Sequence, residues 1–183
     1  MRGVFLVPLL LSALGPKGRA IAREIADGVI TIGGGVDDMD WHVQMVSGTV
    51  LDPGEDLTTP RVQDALGPWH VIRVHGAWQA FPAAVDDLPG GASWRAAIDT
   101  ERVEHERHLV VHEGHATAVT TRDQPLVDAA GPMLGTMGWV GTAEEIHAQA
   151  DAALAAGATE LLYTPAGRDM VGELTRFATA VLG

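Results

Sequence analysis

Apolar positions change period several times along the chain, and each change marks an element. Val4 to Ala13 is nearly unbroken apolar, the pattern of a strand covered on both faces. Gly15 breaks it, and Pro16 suits the first turn of a following helix. Ala20, Ile21, Ile25 and Ala26 then recur on one helical stripe, with Arg19, Arg23 and Glu24 outside it. Asp27-Gly28 ends that helix, and Val29 to Ile32 reads as a second strand. Gly33-Gly34-Gly35 makes a turn, after which Asp37 or Asp38 is placed to cap a helix carrying Trp41, Met45 and Val46. Gly48 to Leu51 reads as a third strand and Asp52-Pro-Gly-Glu-Asp56 as a loop.

The period then becomes helical over Pro60 to Ala80, through Val62, Ala65, Leu66 and Trp69. Asp86-Asp-Leu-Pro-Gly-Gly91 is a loop, and Arg107 to Thr121 fits strand and helix equally. Thr142-Ala-Glu-Glu145 matches a capping box ahead of Ile146, Ala150, Ala153 and Leu154. Gly157 stops that helix, Thr159 to Thr164 is a strand, and Met170 to Leu182 is a closing amphipathic helix. The order is βαβα over 1–51, a helical, irregular insertion over 52–135, and αβα over 136–183. It predicts one α/β domain with a parallel sheet and covering helices.

Charge narrows the partners. With 24 acidic and 12 basic side chains the net charge is −12, against the basic face that nucleic acid or an anionic membrane requires. The chain has no cysteine, which removes disulfides, thiolate catalysis and cysteine-bound metals. Met1 to Gly15 has the outline of a short signal peptide, but Pro8 interrupts the apolar run and the residues continue into a βαβ unit. No stretch reaches the 18 or so apolar residues of a membrane helix. A cytoplasmic protein is expected.

Lys17, the only lysine, follows the first glycine turn, at the carboxyl end of the first strand. α/β proteins bind anionic groups at such turns, against free N–H groups of a helix start. The Gly15–Lys17 turn is therefore a candidate phosphate contact, and a plain βα connection is the alternative. Farther on, His105, His108, His112 and His115 stand at i, i+3, i+7 and i+10, interleaved with Glu104, Glu106 and Glu113. A helix would put the four imidazoles on one face, a set able to hold zinc or iron. Neutral imidazoles beside a carboxylate also suit acid–base work, and a polar loop is the plain alternative. His70 and His75 lie five residues apart on the predicted Pro60–Ala80 helix and are read as core, with His75 and Trp78 the pair able to line a pocket. The five tryptophans are read mainly as packing residues.

Four segments together carry a resemblance: Leu10 through Ile30, Gly48-Thr-Val-Leu-Asp-Pro-Gly-Glu-Asp56, Glu106-Arg-His-Leu-Val-Val-His-Glu-Gly-His115, and Glu144 through Leu162. In order and spacing the chain resembles the C-terminal half of luciferase-like flavin- or deazaflavin-dependent oxidoreductases, in the methylenetetrahydromethanopterin-reductase-like branch. The resemblance implies a (β/α)₈ barrel that binds FMN or F420 at the carboxyl ends of its strands. It implies Ser12, Gly15, Pro16, Lys17, Gly33 and Gly34 as cofactor contacts. The catalytic, proton-moving groups expected are His112, Glu113 and His115, on their own chemistry, and the resemblance implies no metal.

A complete barrel needs about 200 to 250 residues. A chain of 183 residues with about four core strands is then a half-barrel of the TIM type. Its open edges predict a homodimer or a complementary N-terminal half as partner. The expected activity is hydride transfer or monooxygenation of a small organic substrate. The alternative is a non-redox family member: a flavin-binding accessory protein, or a cofactor-independent isomerase or cyclase working by His/Glu acid–base catalysis.

Overall fold

A computed structural model of the chain describes residues 7–32 and 39–183. The elements, in chain order, are β1 (Leu10–Ser12), α1 (Pro16–Ile25), β2 (Gly28–Ile32), β3 (His42–Val46), β4 (Gly48–Val50), α2 (Pro60–Ala80), α3 (Gly91–Glu101), α4 (His108–Val111), α5 (Gln124–Ala130), β5 (Trp139–Gly141), α6 (Ala143–Ala155), β6 (Glu160–Tyr163) and α7 (Met170–Leu182). Short 3₁₀ turns occupy Pro82–Asp87, Glu104–Glu106 and Gly131–Thr136. Among the described residues no helix is long and apolar enough to cross a membrane.

The elements fall into two compact units. The first comprises Met1–Val46 with His147–Thr164, the second Ser47–Ile146 with Pro165–Gly183. The first is built on a parallel four-stranded sheet in the order β1-β2-β3-β6. This is the mixed α/β architecture, with the strand number the sequence predicts. α1 packs its buried Ala22 with Ala13 and Val29 to form a small core that also takes in Leu11, Ala26 and Met39. Gly28 is required by crowding: a Cβ there would lie 2.6 Å from the Trp41 carbonyl oxygen.

Register places Ile32, Met45 and Leu162 in one row across three strands. Side chains of a row share a face of the sheet. Ile32 is 64% exposed and Leu162 41%, so this row is apolar and uncovered.

Two expectations change here. The helix placed after Asp37 or Asp38 is instead β3, a buried interior strand. Its polar residues are inside: His42 Nε2 and Thr31 Oγ1 are hydrogen-bonded at 2.7 Å, and both side chains are buried. With polar His42 and Gln44 buried the strand shows no alternation, and Trp41, Met45 and Val46 mimic helical spacing. The predicted third strand does form, but as β4, which pairs with β5 in a separate two-stranded parallel sheet. The four strands of the larger sheet are therefore not the four expected. β1 is also shorter than the run beginning at Val4: regular pairing covers only Leu10–Ser12, and residues 4–6 lie outside the described part.

The second unit is organised around α2, whose bounds match the predicted helix. Val62, Leu66, Val71 and Val74 of α2 pack with Val85, Trp94, Ile98, Val111, Leu126 and Leu134. The β4–β5 pair joins it through α7. Buried Glu173 of α7 accepts from Thr49 Oγ1 at 2.5 Å, and Arg61 forms ion pairs with both Glu173 and Glu55. Arg61 also donates to the Val50 carbonyl at 2.8 Å, so one guanidinium ties α2, β4 and α7 together. The capping box is present as read: Glu145 Oε2 accepts from the Thr142 N–H at 2.8 Å, and the Glu145 N–H reaches Thr142 Oγ1 at 3.3 Å.

Candidate functional site

The sequence-predicted residues lie in both units, and each group is described within its own. In the first unit, Ser12 ends β1 and Gly15 is the N-cap of α1, with Pro16 at its first position. Lys17 follows on the first turn, exposed like Ser12 and Pro16. No side chain caps this helix and no acidic residue stands in its first turn. Its leading N–H groups consequently have no intrahelical acceptor, and its first turn carries no carboxylate.

The fold does not demand a glycine at position 15. Its φ of −148° is open to any residue, and a Cβ there would meet nothing within 4 Å. The missing side chain leaves the helix start uncovered. Gly18 faces Ala13: a Cβ there would lie 3.4 Å from the Ala13 Cα, in ordinary contact. Arg19 Nε, one turn on, is a buried donor without a hydrogen-bond partner among the described residues. These features suit the phosphate end of FMN or F420. Gly33 and Gly34 lie outside the described residues.

In the second unit the histidines depart from the helical face that their spacing suggested. α4 ends at Val111, so His105, His108, His112 and His115 do not share one helix. The chain turns instead. Gly114 (φ +72°) and Ala116 (φ +62°) adopt left-handed conformations, and the Thr117 and Ala118 N–H groups both donate to the Gly114 carbonyl at 3.0 Å. A Cβ at Gly114 would lie 2.5 Å from the Ala118 carbonyl oxygen, so glycine is needed there twice over.

That turn brings His112 and His115 onto His75 of α2. The ring centroids are 5.2 Å apart for His75–His112, and 5.4 Å for both His75–His115 and His112–His115. His75 Nδ1 and His115 Nδ1 are hydrogen-bonded at 3.1 Å. Each ring offers one nitrogen, and the three lie within 4.8 Å of one another. His75 is fully buried, while His112 and His115 are exposed.

Trp94 and Asp123 support the cluster. Trp94 stacks on His75 with centroids 5.9 Å apart. Its indole Nε1 donates to Asp123 Oδ1 at 2.7 Å, and Thr120 Oγ1 donates to the other carboxylate oxygen at 2.6 Å. Burial pushes His75 down to about 4, against the opposing pull of the Asp123 carboxylate. His112 is also lowered, chiefly by burial and then by His115 and His108. His75 and His112 are therefore neutral near pH 7, each with a lone pair to accept a proton or bind a cation.

Glu113, expected to tune the histidines, is exposed and turned to Arg122, 3.4 Å away. The carboxylate that acts on the cluster is Asp123. Sequence reading placed His75 in the core but did not join it to His112 and His115, because 40 residues separate His75 from His115. Its stacking partner is Trp94 rather than Trp78. Nothing in the local pattern marks Trp94 or Asp123. His70, also buried on α2, has both ring nitrogens unpartnered among the described residues and is pushed down by burial.

No family model, curated protein or solved structure matches the chain.

Proposed function

We propose that the chain is one half of a luciferase-like oxidoreductase that uses FMN or F420 on a small organic substrate. The observation that carries this reading is the start of α1: a helix N-terminus at the end of a parallel strand, with no side-chain cap among the described residues, no acid in its first turn, and a glycine that the backbone does not require. A parallel four-stranded sheet with helices is compatible with part of a β/α barrel, although one of its strands, β3, is not among those the resemblance assigned.

Gly15, Lys17 and the first N–H groups of α1 hold the cofactor phosphate. When bound, the cofactor supplies the hydride or oxygen chemistry. The chain's own chemistry is proton handling: His112, neutral and exposed beside His115, accepts a proton at a ring nitrogen. The uncovered row of Ile32, Met45 and Leu162 is the face of a barrel interior, closed by a second copy or by a separate N-terminal half.

Titration with FMN and with F420, followed by absorbance and fluorescence, tests the reading. Uptake of one cofactor, weakened tenfold or more in Lys17→Glu, is expected. Lys17 is exposed, so the variant keeps its fold. Absence of any spectral change with both cofactors overturns it. A colourless protein whose turnover of a substrate is lost in His112→Ala would instead favour the cofactor-independent acid–base reading, for which the histidine cluster is the specific support.

A further inference from the structure

We infer that His75, His112 and His115 form a binding site for one divalent transition-metal ion of the zinc class. The inference stands on the second unit alone and does not depend on the redox reading.

Three imidazoles from two distant segments converge on one point, and each presents one nitrogen within 4.8 Å of the other two. Ligands around four-coordinate zinc, with Zn–N of about 2.0–2.1 Å, are about 3.3 Å apart. The His75–His115 nitrogens, at 3.1 Å, already match that spacing. His112 has only to swing inward, and it is an exposed side chain at the end of α4.

His75 is the fixed ligand: fully buried, stacked on Trp94, and carried by the longest helix. Among the described residues its Nε2 is buried without a hydrogen-bond partner, and its Nδ1 has one, His115. In a contact between two Nδ1 atoms at most one ring donates, whereas a cation held between them would use the lone pairs of both, with the ring proton of His75 on Nε2.

The loop is shaped to the same end. Ala116 adopts a left-handed φ rarely taken by L-residues, and with Gly114 it turns His112 and His115 toward α2. Asp123, fully buried, adds a negative charge that acts on His75. Arg122, whose charge also acts on His75, forms ion pairs with Glu101 and Glu113 and lies 3.8 Å from Asp123. Three imidazole nitrogen ligands and no thiolate select zinc, cobalt or nickel over calcium or magnesium.

With two of its three ligands exposed, the ion keeps a coordination position for water. Water on such an ion ionises near neutral pH, and the proton handling assigned above to His112 then passes to that water.

The test uses untagged full-length protein stripped with a chelator, then titrated with Zn²⁺ by calorimetry and with Co²⁺ by visible absorbance. One equivalent should bind, with the d–d bands of nitrogen-ligated cobalt. His112→Ala and His115→Ala, both exposed and so folded, should each weaken binding about tenfold or more. His105→Ala and His147→Ala, exposed histidines elsewhere, should leave it unchanged. Zn²⁺ should also raise the melting temperature of the wild type, and not of the His112→Ala/His115→Ala double variant. Failure of the wild type to take up either ion stoichiometrically, or uptake that survives the double variant, overturns the inference. Both readouts are independent of FMN and F420, so failure here leaves the cofactor titration to stand or fall alone.

Discussion

Trp94 donates its indole N–H to Asp123 across 2.7 Å, and both side chains are fully buried. The carboxylate also takes the Thr120 hydroxyl at 2.6 Å. Trp94→Phe keeps an aromatic ring beside His75 but leaves the buried carboxylate short of a donor, which costs about 1–3 kcal/mol. Urea unfolding measures it; a midpoint equal to wild type would show that the bond contributes nothing.

Arg61 is the tie between α2, β4 and α7, and Glu173 beside it is 2% exposed. Arg61→Met leaves that carboxylate with Thr49 and with Arg176 at 3.8 Å. Removing one partner of a buried pair costs about 3–5 kcal/mol, and the retained Arg176 puts this case at the low end. Arg61→Met combined with Glu173→Met should recover much of the loss, because no unpaired charge is then left inside. Guanidinium denaturation of the three variants decides it: a double variant no more stable than Arg61→Met would contradict the account.

The same guanidinium sets an acid response. Its hydrogen bonds to Glu55 hold that carboxyl down at about 2, against 4.5 for a free glutamate. The folded value lies below the unfolded one, so the stabilisation is complete above pH 4.5 and fades as pH falls toward 2. Melting temperature should drop across that window, and Glu55→Gln should flatten the drop. Identical pH profiles for the two proteins would remove Glu55 from the explanation.

Two glycines should respond with opposite signs. Gly48 has φ +124°, and a Cβ there would fall 1.9 Å from the Trp139 carbonyl oxygen, inside the β4–β5 pairing. Gly48→Ala should cost at least about 2 kcal/mol by parting these strands. Gly76, exposed on α2, has open space where a Cβ would go. Gly76→Ala should stabilise by about 0.5–1 kcal/mol through helix propensity. Thermal melts of both variants check the pair, and a shift of the same sign in both would sink it.

Helices were the most legible part of this chain. Pro60 opens α2 and its apolar spacing runs unbroken to Ala80; the Thr142–Glu145 box announces α6; Met170 to Leu182 reads as α7 without correction. These signals are local. β3 was not legible because His42 and Gln44 are polar yet inside, the His42 ring bonded to Thr31 and its backbone N–H to Thr159, both distant in sequence. The β4–β5 pairing joins segments about 90 residues apart, as the Ser47–Met137 hydrogen bond beside it shows, and no periodicity encodes such a partner. The candidate site divides the same way. Gly15 and Lys17 follow from a turn signal, and His112 and His115 from composition, whereas His75, Trp94 and Asp123 join them only once the second unit has folded.

The row of Ile32, Met45 and Leu162 bears on how this polypeptide must be handled. Greasy strands left bare in dilute buffer recruit one another, so yield and monodispersity should depend on what is co-produced with the chain. A bacterial preparation made alone is expected to need detergent or low temperature to stay clear. The companion that makes such additives unnecessary will be the molecule that seals the sheet.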